Sequence, residues 1–221
     1  MEKIKNNKIL IIITSILILL PSLVALLMWD RLPELIPTHW NFEGNADKYS
    51  SKLFAFAALP AILLGVHALC IFATAADPKN RNINNGVFRL MLFISPAISV
   101  IIGMVEISYA LGREVDITRI MMLLLGMMFI IIGNYLPKSR RNYTMGIKIP
   151  WTLNSDNNWN ATHRVGGIVF IAAGLLVLIL AFIPGFTEKG MTAFVVLTLA
   201  AALLPMIYSF LYYLKNERNE D

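Results

Sequence analysis

Six long, nearly unbroken apolar runs decide most of what this chain can become. They extend from Ile9 to Trp29, Leu53 to Ala76, Val87 to Leu111, Ile117 to Leu136, Val165 to Ile183 and Met191 to Leu214. Each is near the ~20 residues needed to cross a hydrocarbon layer of ~30 Å. No water reaches backbone N–H and C=O groups in such a layer, so each run must satisfy them internally as a helix. Composition agrees: of 221 residues, 57% are hydrophobic and 15% charged, with a mean hydropathy of +0.65, far from the balance of a soluble domain. The expected fold is an all-α polytopic membrane protein with six transmembrane helices. Lys3, Lys5 and Lys8 precede the first run as they would in a secretory signal. That run exceeds the usual ~7–15 apolar residues and no small-x-small site follows before Trp29-Asp30, so it reads as a retained span. Cys70 is the single cysteine, which rules out a disulfide framework within the chain.

Charge gives the orientation. Lys and Arg favour cytoplasmic loops, and assigning successive loops to alternate sides puts 13 of the 19 on the side of the N-terminus and 6 on the other. Both termini are therefore expected inside the cell (N-in/C-in). The net charge of +5 reads as topology, because no loop is long enough to fold as a basic domain, and no direct nucleic-acid partner is expected.

Two connections carry distinctive sequence. The first, DRLPELIPTHWNFEGNADKYSSK (30–52), is expected outside. Pro33 and Pro37 extend the backbone before His39, and Gly44-Asn45 reads as a turn, so a short extended segment or hairpin is expected. The second, GNYLPKSRRNYTMGIKIPWTLNSDNNWNATHR (133–164), is expected inside. There Asn154 or Ser155 can cap a helix whose first turn holds Asp156, and Trp159 and His163, at i and i+4, share one face of it. Pro150 bars a helix from running through it and Gly146 permits a sharp bend, so Tyr143 to Leu153 is expected to be an ordered, non-helical loop. Trp29, Trp40 and Tyr49 on one side, with Tyr135, Tyr143, Trp151 and Trp159 on the other, suit the interfacial aromatic belts. Pro60, Pro96 and Pro205 fall within spans and predict kinks. The tail KNERNED is expected to be solvated and mobile.

Candidate chemistry is sparse. His39, His67 and His163 are assigned to the outside, the mid-membrane and the inside, too far apart for the three or four ligands of a metal site. His67 is an ionisable group within a span, a position that is often functional; the plainer reading is a neutral imidazole bonded to a neighbouring helix. Glu106 is expected to pair with Arg113 or Arg119. No phosphate loop, catalytic triad or cysteine pair appears, so neither catalytic residues nor a cofactor are expected.

The cytoplasmic segment resembles the SdpI family of bacterial membrane proteins at Asn134, Tyr135, Pro137, Lys138, Asn142, Gly146, Ile147, Pro150, Trp151, Thr152, Leu153, Trp159, Thr162 and His163. The outer segment is similar to the DUF1648 module at Pro33, Pro37, His39, Trp40, Asn41, Gly44, Asp47 and Lys52. The resemblance implies a DUF1648-like module over residues 1–76 and an SdpI-like membrane domain over 77–221 with its cytoplasmic loop at 137–164. It implies an integral protein of the bacterial cell membrane giving immunity to a secreted toxin peptide. It further implies that the outer loop meets the peptide while the inner loop carries a signal by capturing a small transcriptional repressor. Two alternatives remain open at this stage: a small membrane transporter or exporter, which would give His67 a role, and a structural envelope-stress protein.

Overall fold

The computed structural model describes residues 2–41, 43–183 and 187–218. The last three residues of the expected mobile tail lie outside them. Six helices are long and apolar enough to cross a membrane: Lys8–Leu27, Phe54–Ala76, Asn85–Ala110, Ile117–Lys138, Asp156–Ala181 and Thr192–Asn216. The chain is thus a multi-pass membrane protein, and its many exposed Leu, Ile and Phe side chains, such as Ile12, Ile16, Leu23 and Phe72, face lipid tails rather than water. Two compact units divide it: Met1–Ala76 with Phe88–Ile117, and Asp77–Val87 with Thr118–Asp221.

In the first unit a short helix, α1 (Glu2–Asn6), leads into α2 (Lys8–Leu27). The buried residues of α2, Thr14, Ile18, Pro21 and Ala25, recur at three and four positions and so form one stripe. Pro21 cannot donate a backbone hydrogen bond, and its ring fills the space above Gly103, where any Cβ would overlap it. Beside it the buried Ser99 hydroxyl donates to the Ile18 carbonyl at 2.7 Å. The chain then forms an antiparallel hairpin, β1 (Leu35–Trp40) and β2 (Ala46–Ser51), with Trp40 opposite Ala46 and Pro37 opposite Tyr49. Leu32 and Ile36 at its base pack with Ala25, Ala55, Phe56 and Ile107. A π-helical turn, Phe54–Ala58, opens the second span ahead of α3 (Leu59–Ala76), next to Pro60, which has no N–H to return to the preceding turn. Most of α4 (Asn85–Ala110) completes this unit, burying Phe88, Leu92, Ser95, Ser99, Gly103 and Glu106 along one face. The expected ion pair of Glu106 does not form. Among the described residues its side chain, 2% exposed, has no ionic partner, because the helix turns it inward rather than toward the loop arginines.

The second unit holds α5 (Ile117–Tyr135), α6 (Pro150–Asn154), α7 (Asp156–Ala181) and α8 (Thr187–Asn216). Two glycine pairs bring α5 and α7 into backbone contact. A Cβ on Gly174 would lie 2.6 Å from the Gly126 carbonyl, and one on Gly167 2.8 Å from the Gly133 carbonyl. Between membrane helices the hydrophobic effect offers little, so such small-residue contacts supply the packing. The expectation for Tyr143 to Leu153 needs one correction: Pro150–Asn154 is helical. Proline excludes the interior of a helix but suits its first position, where the missing N–H would have had no partner.

Candidate functional site

The connection from α5 to α7 is held by its own polar side chains. After a 3-10 turn at Leu136–Lys138, Asn142, fully buried, accepts from the amides of Thr144 (2.9 Å) and Met145 (2.7 Å) and donates to the Arg140 carbonyl (2.8 Å). One side chain thus closes a turn that has no regular backbone ladder. Arg141 donates to the Leu153 carbonyl (2.9 Å) and pairs with Asp156 at 2.7 Å, tying the start of the loop to its end. Lys148 donates back to the carbonyls of Tyr143 and Thr144. Thr152 accepts from the Ile149 amide and donates to the Ile147 carbonyl (2.7 Å), closing the first turn of α6.

Beneath the loop Trp159 and His163 form its floor. Their rings stack with centroids 4.0 Å apart, as the i, i+4 spacing requires, and both are within 1% of full burial. The Trp159 indole donates to the Ser139 carbonyl at 2.7 Å. The Ile147 amide donates to Nε2 of His163 at 3.0 Å, and Nδ1 lies 2.7 Å from the Trp159 carbonyl. A backbone amide can only donate, so Nε2 is the acceptor and Nδ1 carries the proton. Gly146 crosses directly over this pair with φ +116, and a Cβ there would run into Nε2 of His163 and the Trp159 ring. Only glycine meets both conditions.

Three further contributors lie outside the two sequence segments that suggested the site. Asp77, just after α3, accepts from the Tyr143 amide (2.9 Å), the Thr144 hydroxyl (2.6 Å) and the Lys79 amide (2.7 Å). Burial pushes the Asp77 carboxyl up, but donors from Thr144, Lys79 and Tyr143 outweigh it and hold it below the ordinary carboxylate value. Asn82 donates to the Arg141 carbonyl (2.8 Å). Glu217 accepts from the hydroxyl of Ser155, the cap of α7, and from Asn158; Asn158 in turn bonds Ser209 and Thr162. The tail is therefore anchored as far as Glu217, contrary to a solvated one. A readable signal existed: Asn158 and Thr162 repeat the i, i+4 spacing of Trp159 and His163 on the neighbouring stripe.

What remains exposed differs from what is buried. Asn134, Pro137, Lys138, Arg140, Tyr143, Lys148 and Pro150 reach the surface, with Tyr135 half-buried. Lys138 lies over the Tyr135 ring and Lys79 over that of Tyr143. Trp151 leans on Phe210 and Tyr213. Beside it opens a cleft of about 730 Å³ lined by Pro150, Trp151, Asn154, Ser155, Asn157, Tyr212, Tyr213, Asn216 and Glu217.

The hairpin of the first unit brings the other set together. Asn41 accepts from the amides of Glu43 and Asn45, shaping the turn, in which Gly44 has φ +84. His39 and Asp47 meet across the strands at 2.5 Å, with side chains 55% and 39% exposed. The hydrogen bond from His39 holds the Asp47 carboxyl below its ordinary value. Pro37 is buried, and Trp40 sets its ring edge to face against Tyr109. Lys52 pairs with Glu34 at 2.9 Å and covers the Trp29 ring. His67 stands apart from both sets. It is buried in α3, where Nε2 lies 3.2 Å from the Thr14 hydroxyl and Nδ1 has no hydrogen bond among the described residues.

Residues 138–209 match the SdpI/YfhL protein family, and residues 16–64 match a domain of unknown function, DUF1648. The DUF1648 match thus precedes the SdpI/YfhL match along the chain. The immunity protein SdpI of Bacillus subtilis (strain 168) is 27% identical over 208 residues, which span 92% of this chain and 96% of that protein. No solved structure shows a significant match. The six spans and the SdpI/YfhL match together make this a multi-pass protein of the bacterial cell membrane. The SdpI/YfhL region covers the loop from Lys138, the stacked Trp159 and His163, and Ser209 on α8. The DUF1648 region covers the whole hairpin.

Proposed function

We propose that this protein confers immunity to a secreted antimicrobial peptide from within the cell membrane, with both termini in the cytoplasm. The observation that carries the proposal is the end-to-end similarity to a protein named for immunity. Counting six spans from a cytoplasmic N-terminus puts the hairpin outside and the 133–164 loop inside, consistent with the excess of Lys and Arg near the latter. The hairpin, with its exposed His39 and Asp47, is the surface offered to the peptide.

The inner loop has a second role in this reading, docking a small repressor protein. The buried residues Asn142, Thr152, Trp159 and His163 cannot touch a partner, so their part is to hold the loop in shape. Recognition falls to the exposed Lys138, Arg140 and Lys148 and to the cleft beside Trp151. Expression in a peptide-sensitive strain tests the proposal: survival should rise with the intact chain and fall to the vector level with His39→Ala/Asp47→Ala at equal abundance. Unchanged killing in the presence of the intact chain, across several related peptides, would sink the immunity reading. Unaltered reporter output in Lys138→Glu/Arg140→Glu, with immunity intact, would remove the repressor arm.

A transport reading draws on one observation, the unpartnered Nδ1 of His67 inside a span. His67→Ala would then abolish protection without lowering abundance. Full protection by that variant would confine His67 to packing against Thr14.

A further inference from the structure

At the junction of α1 and α2 the first unit has a cleft of about 480 Å³ that neither the hairpin nor the α5–α7 loop explains. Its polar wall is formed by Lys5, Asn7, Lys8 and Arg89, and its apolar wall includes Ile9, Ile13 and Phe93. No acidic residue lines it among the described residues. The break between the two helices at Asn7 matters here. Asn7 is 3% exposed, and its side-chain amide donates to the Lys3 carbonyl while its oxygen accepts from Nε of Arg89 at 2.9 Å. That bond fixes the Arg89 guanidinium edge-on, and among the described residues its terminal nitrogens have no protein hydrogen bond. Lys5 and Lys8, on either side of the break, are exposed. Immediately along the helices, Ile9, Ile13 and Phe93 are 75%, 46% and 45% exposed, inside the spans Lys8–Leu27 and Asn85–Ala110.

A cationic recess at the end of two membrane spans, continuous with apolar side chains that lipid must cover, matches one amphiphile. We propose that this cleft binds the headgroup of an anionic phospholipid. Arg89 presents its planar fork to the phosphodiester oxygens, a geometry guanidinium meets in bidentate fashion. Lys5 and Lys8 add point charges, and one acyl chain lies along Ile9, Ile13 and Phe93. A free phosphate would use the cations but leave the apolar wall without a role. A protein partner would have to reach past the lipid to cover Ile13 and Phe93. The leaflet occupied is the one facing the N-terminus.

The purified full chain in a neutral detergent, given equal amounts of phosphatidylglycerol and phosphatidylcholine with the same acyl chains, tests this by native mass spectrometry. Phosphatidylglycerol should be retained in preference. Each surface cation contributes about fivefold to anionic-lipid affinity, so Lys5→Gln/Lys8→Gln should cut retention roughly 25-fold. Lys48→Gln/Arg113→Gln, which removes the same charge from exposed sites elsewhere in the unit, should change it less than twofold. Arg89→Gln should also release the lipid; because Arg89 braces Asn7, the exposed Lys pair is the primary test. Equal retention of the two lipids overturns the proposal, as does an equal loss in both double variants, which would mean diffuse attraction. Displacement by millimolar inorganic phosphate of a lipid whose binding is indifferent to acyl-chain removal would make the site one for free phosphate and also overturn it.

Discussion

Replacing Trp159 by Phe isolates one bond in the loop floor. The phenyl ring keeps the stack on His163, whose centroid lies 4.0 Å away, but it cannot donate to the Ser139 carbonyl, now 2.7 Å from the indole nitrogen. Ser139 is 7% exposed, so water reaches the orphaned carbonyl poorly, and stranding a buried polar group costs about 1–3 kcal/mol. If the loop opens as a local unit, its open population should rise about 5- to 150-fold. Trp159→Ala loses the ring as well and should cost about 3–5 kcal/mol. Trypsin supplies the assay, because Lys138, Arg140, Arg141 and Lys148 all lie in the loop and cleavage follows the open population when reclosing is fast. Cutting between residues 138 and 148 of the detergent-solubilised chain should therefore rank wild type slowest, Phe intermediate and Ala fastest. A Phe variant cut at the wild-type rate while Ala is cut faster would show that the ring alone matters. Equal rates for all three would refute the latch.

The remaining predictions concern other contacts. The Asp77 carboxyl has a folded-state pKa below its unfolded value of about 3.9, so its contribution is present above that value and lost as pH falls through the lower folded one. Protection of the Tyr143 amide, corrected for intrinsic exchange, should thus be flat from about pH 7 to 5 and decline only below about 4. Asp77→Ala, which leaves the Tyr143 amide without its side-chain acceptor, should lose that protection at every pH. Gly174→Ala puts a methyl against the Gly126 carbonyl and should destabilise the α5–α7 contact by about 1–3 kcal/mol, read as a lower thermal midpoint; an unchanged midpoint would mean that the helices are not in backbone contact. His39→Ala removes a solvent-exposed, screened pair, so abundance and thermal midpoint should stay near wild type while immunity falls. A large drop in midpoint would assign the pair to stability.

The six spans were legible because the lipid layer imposes one rule on every residue within it. The start of α7 was legible too, since Ser155 and Asp156 carry local capping chemistry that needs no distant partner. Three features were not readable, each for a physical reason. The helix at Pro150–Asn154 depends on whether the proline sits first or in the interior, which the surrounding turns decide. The loop's dependence on Asp77 and Asn82 joins residues more than fifty positions apart in sequence, and no periodicity signals it. Glu106 looked like an ion-pair partner because charge was read along the chain, whereas the helix stripe of α4 turns it inward. Of the segments singled out by resemblance, the outer one exposes Pro33, His39 and Asp47 while burying Pro37 and half-burying Trp40, Asn41, Gly44 and Lys52, and the loop residues split between a buried frame and a surface.

That split bears on how such a protein can change over generations. Asn142, Thr152, Trp159 and His163 spend their hydrogen bonds chiefly on backbone groups of the loop and of α7, so most of the loop's form comes from side chains that a visitor would never meet. Lys138 and Arg140 can therefore be exchanged with little effect on folding, whereas Lys148 also braces the Tyr143 and Thr144 carbonyls; a lineage could acquire a new correspondent while inheriting the same chassis. Grafting only Lys138 and Arg140 between two relatives should carry recognition across, whereas grafting the buried four should carry nothing.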